Sequence, residues 1–297
     1  MQLASKIVPC LWFDSQGEEA ARFYAGIFPD SRITHVGRYS EAGQNVHGRP
    51  PGSVMAVAFE LAGQAFTALN GGPVFQFNEA VSLQIMCGSQ QEVDHYRKAL
   101  LAGDGAKEQQ GGWLKDRYGV SWQVLHRGGG GAGATAPKIV PCLWFDGQGE
   151  EAAKLYTGIF PQSRITHVSR YTEAGQEFHR QPPGSVMTVS FELAGQAFLA
   201  LNGGPMFKFN EAVSLQVMCD AQDEVDHYWN ALTPGGDPQA QRCGWLKDRF
   251  GLSWQVTPNA LAPLLEGEPA SAGRAFGAMM TMKKLDIAAL QRAFDGK

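Results

Sequence analysis

The chain has 297 residues, a length that suits two domains of ordinary size, each able to bury a core of its own. Hydrophobic residues make up 44% of the sequence and charged residues 18%, and the net charge is −4. This balance gives no electrostatic case for nucleic acid or an anionic membrane as a partner, and no apolar run reaches the roughly 18 residues of a membrane span. The five cysteines form no C-x-x-C pair, which is typical of reduced thiols, so we predict a soluble, cytoplasmic protein.

The first predicted elements are a strand, a helix and three more strands. IVPCLWF (7–13) is a short apolar run typical of a buried strand. GEEAARFYAGIF (17–28) has apolar residues at helical spacing, and Ser15 and Glu18 predict a capping box at its start, while Pro29 ends it. Three strands are predicted next, at 32–40, 54–63 and 65–70.

The following stretch repeats that order. VSLQIMC (81–87) predicts a strand and QQEVDHYRKALL (90–101) a helix. Strand candidates then lie around 106–110, 112–116 and 119–125. The charged residues of GWLKDRYG are explained by a hairpin turn between the last two strands. Residues 1–126 therefore comprise two β-α-β-β-β modules.

The sequence aligns with itself without a gap at an offset of 132 residues, so that Lys6–His126 matches Lys138–Pro258 with most positions identical. A period this long corresponds to a domain and not to a solenoid unit. The copies are separated by RGGGGAGATAP, a Gly/Ala linker that cannot build a core. We expect a first domain at 1–126, the linker at 127–137, a second domain at 138–258 and a C-terminal extension at 259–297.

The element order and the motifs PCLWFD, FNEAVSLQ and GWLKDRxGxSWQV resemble the vicinal oxygen chelate superfamily, which includes glyoxalases and bleomycin-resistance proteins. Within it, both copies are most similar to the PhnB-like group, often labelled 3-demethylubiquinone-9 3-methyltransferase-like. The resemblance implies an α+β fold with two tandem glyoxalase-like domains, each of two modules that form a cupped, eight-stranded mixed sheet with a cavity in the cup. It also implies a closing helix within 272–296, where apolar spacing indicates a helix as well.

Relatives with a single domain pack two modules side by side across subunits, according to the same resemblance. Fusion of two copies could meet that need within one chain, so we predict an intramolecular pseudo-dimer that is a monomer or a weak homodimer.

Metal-using members of the superfamily carry four ligands, mostly His and Glu, on the first, fourth, fifth and eighth strands. The resemblance aligns these positions with Val8, Phe66, Ser82 and Gln123 in the first copy and with Val140, Phe198, Ser214 and Gln255 in the second. Zinc or iron needs imidazole, thiolate or carboxylate ligands, which one amide in four does not replace. We therefore predict no metal site and no cofactor.

Polar side chains alternate with apolar ones along the strands that would line the cup. If they point inward, the cup holds amides among aromatic side chains, which is typical of a pocket for a neutral small molecule. The alternative is an internal hydrogen-bond network that only fixes the sheet, and the sequence leaves both open. The candidate ligand-binding residues are Trp12, Asn70, Gln84 and Gln123 in the first copy and Trp144, Asn202, Gln216 and Gln255 in the second.

Two histidines occupy Gly/Pro-rich loops between the second and third strands of each copy: His47 in GQNVHGRPPGS and His179 in GQEFHRQPPGS. Such loops can fold over a cavity mouth, so these residues are the acid-base candidates. The competing interpretation is an exposed loop histidine, because a general base normally has an orienting partner and the sequence supplies none.

Two functions remain open at this stage. The first is a small-molecule-binding protein that lacks the usual metal site and whose ligand the sequence does not name. The alternative is a metal-independent or unusually metallated isomerase or lyase that uses the loop histidines, so the sequence does not decide whether the protein is an enzyme. Methyl transfer is not expected, because no Gly-rich loop follows a parallel strand of a doubly wound sheet.

Overall fold

The computed structural model describes residues 5–41, 44, 48–127 and 137–297. These residues fall into two compact units. The first unit combines the chain up to Gln76 with Asn210–Lys297, and the second spans Phe77–Phe209. Each unit therefore takes one half of each sequence repeat.

The first repeat forms two modules in the predicted order. In the first module, β1 is Ile7–Phe13, α1 is Gly17–Ile27, β2 is Arg32–Arg38, β3 is Val54–Leu61 and β4 is Gln64–Asn70. In the second module, β5 is Val81–Cys87, α2 is Gln90–Leu100, β6 is Lys107–Glu108, β7 is Trp113–Lys115 and β8 is Ser121–His126. The β-α-β-β-β pattern predicted from the sequence is confirmed.

The second repeat has the same plan. Its first module consists of β9 (Ile139–Phe145), α3 (Gly149–Ile159), β10 (Arg164–Arg170), α4 (Gln176–His179), β11 (Val186–Leu193) and β12 (Gln196–Asn202). Its second module consists of β13 (Val213–Cys219), α5 (Gln222–Leu232), β14 (Trp245–Lys247) and β15 (Ser253–Pro258). The tail that follows contains α6 (Leu261–Leu265), α7 (Pro269–Met280) and α8 (Ile287–Asp295). The closing helix expected within 272–296 is thus two helices, because Asp286 caps a new helix by accepting the Ala289 N–H.

Each of the two sheets combines one module from each repeat. The strand order of the first sheet is β14-β15-β13-β1-β4-β3-β2, and that of the second is β10-β11-β12-β9-β5-β8-β7-β6. In the first sheet β1 pairs antiparallel with β13, which places Cys10 opposite Ser214. In the second sheet β5 pairs antiparallel with β9, which places Ser82 opposite Cys142. The tandem α+β fold is confirmed, and each sheet is completed by the other repeat of the same chain.

One strand distinguishes the sheets in the described parts of the chain. Lys107–Glu108 forms β6 at the edge of the second sheet, whereas the matching segment of the second repeat, Pro238–Ala240, is a 3-10 helix. Pro238 has no N–H to give to a ladder, and its fixed φ suits the first turn of a helix. The first sheet therefore has seven strands and the second has eight.

Helices pack on one face of each sheet and form the core there. In the second repeat, Tyr156 of α3 lies 6.4 Å from the ring of Phe191 on β11, which stacks on Phe198 of β12. The first repeat stacks Phe59 on Phe66 in the same way, at 5.6 Å. Side chains alternate along strands, so the residues between these phenylalanines face the other way.

The opposite face carries Cys10 and Thr67 in the first sheet and Cys142 and Leu199 in the second, which are paired in register. We call this the open face of each sheet. In the first unit the open face is curved. The evidence is that Glu266 of the tail, which follows the end of β15, reaches Gly37 on the edge strand β2. A flat sheet would separate these points by more than about 30 Å, whereas the connecting segment, with α6 in it, spans roughly 18 Å.

The start of α1 differs from its prediction. Ser15 and Glu18 do not form a capping box, since Gln16 is the N-cap residue and its side chain makes no capping hydrogen bond. Instead, the Gly17 N–H donates to Oδ1 of Asn70 at 2.8 Å. A side chain from β4 therefore satisfies an amide of the first helical turn, a role that the sequence assigned to a local cap.

The tail is fastened to the rest of the first unit by hydrogen bonds near its middle. Near its middle, Met282 and Lys283 offer carbonyl oxygens to the N–H groups of Cys243 and Gly244, both at 2.8 Å. The side chain of Gln222 then donates to the Leu285 carbonyl and accepts the Ile287 N–H. Its three helices share a small apolar cluster centred on Leu264, Ala275, Leu285 and Leu290. Among the described residues, no helix combines the length and the apolar character needed to cross a bilayer.

Candidate functional site

A chain of hydrogen bonds crosses the open face of the first unit. Thr67 Oγ1 donates to Oε1 of Gln216 at 2.7 Å, and Gln216 Nε2 donates to Oε1 of Gln255 at 3.1 Å. Gln255 Nε2 then donates to Oγ of Ser214 at 2.8 Å. The chain joins strands β4, β13 and β15 over the thiol of Cys10, which burial keeps protonated by raising its pKa to about 11.

The second unit has a shorter chain at the same place. Gln84 Nε2 donates to Oε1 of Gln123 at 3.1 Å, and Gln123 Nε2 donates to Oγ of Ser82 at 2.8 Å. Burial again raises the pKa of the thiol beneath, that of Cys142, to about 11. Leu199 stands where the first unit has Thr67, so this chain ends at Gln84.

Tryptophan side chains stand beside these amides. Trp245 is paired in register with Gln255 and makes an edge contact with Trp12 at 6.0 Å. In the second unit, Trp113 is paired with Gln123 and makes the equivalent contact with Trp144 at 6.1 Å. The structure therefore brings together the predicted amides and tryptophans, and adds two tryptophans of the GWLKD motif that the sequence prediction omitted.

The indole of Trp12 is held by the NGGP turn. Its Nε1–H donates to the Gly72 carbonyl at 2.8 Å, and a Cβ added to Gly71 would lie 2.0 Å from the ring. Trp144 repeats this with Gly204 and Gly203. The paired glycines of this motif are thus explained by the close approach of a tryptophan.

An ion pair lies beside each of the two tryptophan pairs, Trp12 with Trp245 and Trp113 with Trp144. Lys115 Nζ lies 3.0 Å from Glu79, and Lys247 Nζ lies 2.9 Å from Glu211. Burial acts to raise the pKa of Glu79, but hydrogen bonds from Gln109 and Lys115 outweigh it, so the net pKa is lowered and the carboxylate stays charged. Sequence reasoning treated these lysines as turn residues; the signal that could have found them is the FNEA motif, which recurs with GWLKD in both repeats.

The residues present do not fit the metal centre of the superfamily. Phe66 and Phe198 lie on the helix face, so Thr67 and Leu199 are the residues of the fourth strands that face the candidate ligands. Within the described chain, no cluster of three or more His, Cys, Asp or Glu could hold a metal ion. Cys10 is a protonated thiol at neutral pH, and its polar neighbours are a hydroxyl and an amide. This donor set lacks the imidazoles and carboxylates that a divalent ion needs.

Asn70 and Asn202 lie away from the amide chains. Asn70 uses Oδ1 to accept the Gly17 N–H and Nδ2 to donate to the Val54 carbonyl, and Asn202 does the same for Gly149 and Val186. Both side chains therefore join the end of the fourth strand to a helix start. Asn70 also borders a separate cavity of about 290 Å³ lined by Asp14, Ser15, Glu18, Tyr39, Arg49, Pro50, Ser53, Val54 and Asn70.

Polar side chains that line that cavity are already hydrogen-bonded to one another or to the backbone. Arg49 Nη2 donates to Asp14 at 3.2 Å, and the Tyr39 hydroxyl donates to the Asn70 carbonyl at 2.7 Å. The second repeat has Gln181 in place of Arg49. The second repeat therefore does not reproduce the arginine that lines this cavity, whereas it does reproduce the amides and tryptophans of the open face.

The two candidate histidines are placed differently by the described chain. His47 lies outside the described residues. His179 ends the four-residue helix α4, with its ring 4.4 Å from that of Tyr171. Its Nδ1 accepts the Gln181 N–H at 3.1 Å, and its Nε2 is buried without a hydrogen-bond partner in the described structure. Among the described residues, the polar partner of this ring is thus a single backbone amide.

Both repeats match one protein-family model, described as 3-demethylubiquinone-9 3-methyltransferase, at residues 5–125 and 137–257. Among solved structures, the chain is similar to a PhnB protein from Bacillus cereus whose name carries the same description. The identity is 36% and the TM-score 0.36, with 41% of this chain and 99% of that protein covered.

Two further structures are similar over one repeat length. A protein from Staphylococcus aureus is 31% identical with a TM-score of 0.19, covering 40% of this chain and 93% of its own. Protein PA1353 from Pseudomonas aeruginosa is 20% identical with a TM-score of 0.33, covering 41% and 98%. The comparison with curated proteins gave no match. These structures are therefore about as long as one repeat, whereas this chain contains two.

Proposed function

The chain belongs to the 3-demethylubiquinone-9 3-methyltransferase family, or PhnB-like family, and from this premise we propose that the open face of each sheet binds a small, neutral, largely apolar molecule. The protein then acts as a small-molecule-binding protein without a metal centre. One arrangement carries the proposal, because it occurs in both units: two glutamine amides beside a tryptophan. These are Gln216 and Gln255 with Trp245, and Gln84 and Gln123 with Trp113.

The charge of the face supports a neutral ligand. Lys115 and Lys247 lie near the tryptophans, but each is matched by a glutamate within 3.0 Å. The remaining polar groups of the two hydrogen-bond chains are amides, hydroxyls and protonated thiols. An ionic ligand would lose its hydration without gaining a counter-charge, whereas an apolar molecule with one or two polar groups would lose little.

Methyl transfer is not part of the proposal, although the family description names it. The glycines nearest to a methyl-donor loop are those of NGGP, and Gly71 and Gly203 are occupied by the rings of Trp12 and Trp144. A nucleotide-like donor needs glycines whose backbone it can approach, at the start of a helix after a parallel strand. Here the motif follows β4 and β12 and leads to a loop.

The proposal is tested with indole as the probe and the full-length, ¹⁵N-labelled protein. Indole should shift the indole N–H signals of Trp245 and Trp113 in a saturable way. Trp245→Phe should weaken the response of the first unit alone, and Trp113→Phe that of the second. Trp229→Phe is the matched control, since Trp229 is buried on helix α5. If millimolar indole perturbs neither open face, the proposal is overturned.

A second candidate function rests on His179. Its Nε2 has no hydrogen-bond partner within the described structure, which leaves this ring nitrogen able to exchange a proton once the α4 loop admits a substrate to the sealed position. We propose, as the alternative, an isomerase or lyase that uses His179 and its counterpart His47. Any turnover found should be lost in His179→Ala with His47→Ala and kept in His227→Ala, an exposed control. Unchanged turnover in the double variant would remove this alternative.

We also infer a cytoplasmic location and a monomeric or weakly dimeric state. Support for the first comes from five free cysteines, four of them buried. Support for the second comes from the exchange of modules, which completes both sheets inside one chain.

A further inference from the structure

One of the differences between the two open faces falls on the hydrogen-bond chain itself. In the first unit, the Thr67 hydroxyl donates to Gln216 at 2.7 Å and completes the hydrogen-bond chain. In the second unit, Leu199 holds the same register position, opposite Cys142 as Thr67 is opposite Cys10. Leucine has no hydrogen-bond donor in its side chain, so the hydrogen-bond chain of the second unit lacks the first member.

Without the threonine hydroxyl, the side-chain oxygen of Gln84 has no hydrogen-bond donor among the described residues. Its Nε2 is used by Gln123, but its Oε1 accepts no hydrogen bond from any residue in the described parts of the chain. Gln84 is only 7% exposed, so bulk water has little access to its amide. Oε1 is nevertheless not sealed from the surface, unlike the partnerless hydroxyl oxygens of Ser121 and Ser253. A small group arriving over the open face can therefore reach it.

The first unit shows what that group is. A hydroxyl, that of Thr67, satisfies Gln216 there, and every other member of the chain has the same residue type in both units. We propose that the second unit takes a ligand that carries its own hydroxyl, which binds Gln84 in place of the missing threonine hydroxyl. The apolar body of the ligand packs on Leu199 and the adjoining tryptophans. The first unit, whose amide is already satisfied, has no such requirement.

This inference rests on the proposed function, since it names the ligand class of one of the two faces. A hydroxyl can donate or accept, so it complements the Gln84 amide in either orientation of that side chain. A buried polar group that a ligand leaves unpaired is penalised, which is how such sites discriminate against analogues without the hydroxyl. Phenol and anisole differ in this respect and are the probe pair.

The test uses full-length ¹⁵N-labelled protein, in which the side-chain amide signals of Gln84 and Gln216 report on the two units separately. Leu199→Thr should weaken phenol binding at Gln84 about fivefold, the value of roughly one hydrogen bond, and leave anisole binding unchanged. Thr67→Val, which removes the hydroxyl at nearly constant volume, should strengthen phenol binding at Gln216 by a similar factor. Thr67→Ser keeps a hydroxyl and should behave as the parent protein.

The outcomes separate the two proposals. If phenol and anisole bind both faces and their affinity ratio is indifferent to Leu199→Thr and Thr67→Val, this inference is overturned while the proposed function stands. If neither probe perturbs either face, both are overturned. Should a variant fail to fold, the parent protein still decides: the phenol-to-anisole preference must be greater at Gln84 than at Gln216, and an equal preference refutes the inference.

Discussion

The carboxylate of Glu266 lies 2.7 Å from the imidazole of His35, joining the end of α6 to strand β2 across 231 residues of sequence. The same oxygen lies 2.8 Å from the position that a Cβ would take on Gly37. In the second unit, the matching residue is Ser169, whose hydroxyl bonds Thr188 at 2.6 Å. Gly37 therefore makes room for the tail at the edge of the first open face.

Gly37→Ser should release the tail from this edge. The added side chain competes with Glu266 for the same space, while the contact between Glu266 and His35 that it disturbs is partly exposed and worth at most about 1 kcal/mol. We expect faster hydrogen–deuterium exchange in residues 259–268, measured by mass spectrometry, with little change in global stability. The anchor at Met282 and Lys283 should keep the later part of the tail protected.

Ser169→Gly is the control for that change. It makes the reverse substitution at the matching strand of the second unit, where the hydroxyl is bonded to Thr188. Exchange in residues 259–268 should be unaffected. Equal exchange of this segment in the parent protein and in Gly37→Ser would refute the role assigned to Gly37.

Gly71→Ala should destabilise the first unit. The new methyl group would lie 2.0 Å from the Trp12 ring, which is itself held by its bond to the Gly72 carbonyl. We expect a loss of about 1–3 kcal/mol in the free energy of unfolding, from urea denaturation. Gly26→Ala is the control, because Gly26 is in α1 with nothing near its Cβ position, and there alanine should stabilise by a few tenths of a kcal/mol up to about 1 kcal/mol. Equal stability of the Gly71→Ala variant and the parent protein would contradict the close packing of Trp12 against Gly71.

The modules were predictable from sequence because their signals are local. The apolar run of β1 and the helical spacing of α1 depend only on neighbours in the chain. The pairing between modules is not local, and the repeats offer identical partners: Cys10 could meet Ser82 or Ser214 with the same contacts. In the structure Cys10 meets Ser214 and Cys142 meets Ser82, and Lys138 lies directly beside β5, where its carbonyl accepts the Met86 N–H.

The candidate site was predictable in part for the same reason. Gln84 and Gln123 were identified by alternation, and the structure brings them together. Asn70 was placed in the cup by sequence, yet it lies at the strand end, where its side chain turns to the start of α1. The difference between Thr67 and Leu199 was visible in the aligned repeats, but its meaning depends on the neighbour across β1, which only the sheet order supplies.

The mass in solution should be that of one chain, 32.2 kDa, in light scattering coupled to size exclusion at micromolar concentration. Both central strand pairs, β1 with β13 and β5 with β9, are formed inside the chain, so no partner is needed to complete a sheet. A weak dimer would shift the mass upward only at high concentration. A stable tetramer at micromolar concentration would contradict the assignment.

The buried thiols beneath the amide chains should make stability fall at alkaline pH. Burial raises the pKa of Cys10 and of Cys142 to about 11, with bonds from neighbouring amides and hydroxyls opposing it only in part. In the unfolded chain these thiols ionise near 9.0, so their stabilising contribution is complete below pH 9 and is lost as the pH rises toward 11. We expect the free energy of unfolding to fall by about 1 kcal/mol per thiol between pH 8 and pH 10.

The Cys10→Ala and Cys142→Ala double variant isolates that effect. Its free energy of unfolding, from urea titrations at both pH values, should fall less steeply than that of the parent protein, by about 2 kcal/mol in total. Cys243→Ala is the matched control, since that thiol is only half-buried, next to Met280. Burial also raises the pKa of the Cys243 thiol, but this thiol is less deeply buried than those of Cys10 and Cys142, so its removal should change the slope less. If the double variant and the parent protein have the same pH dependence, the two thiols are not the groups that titrate.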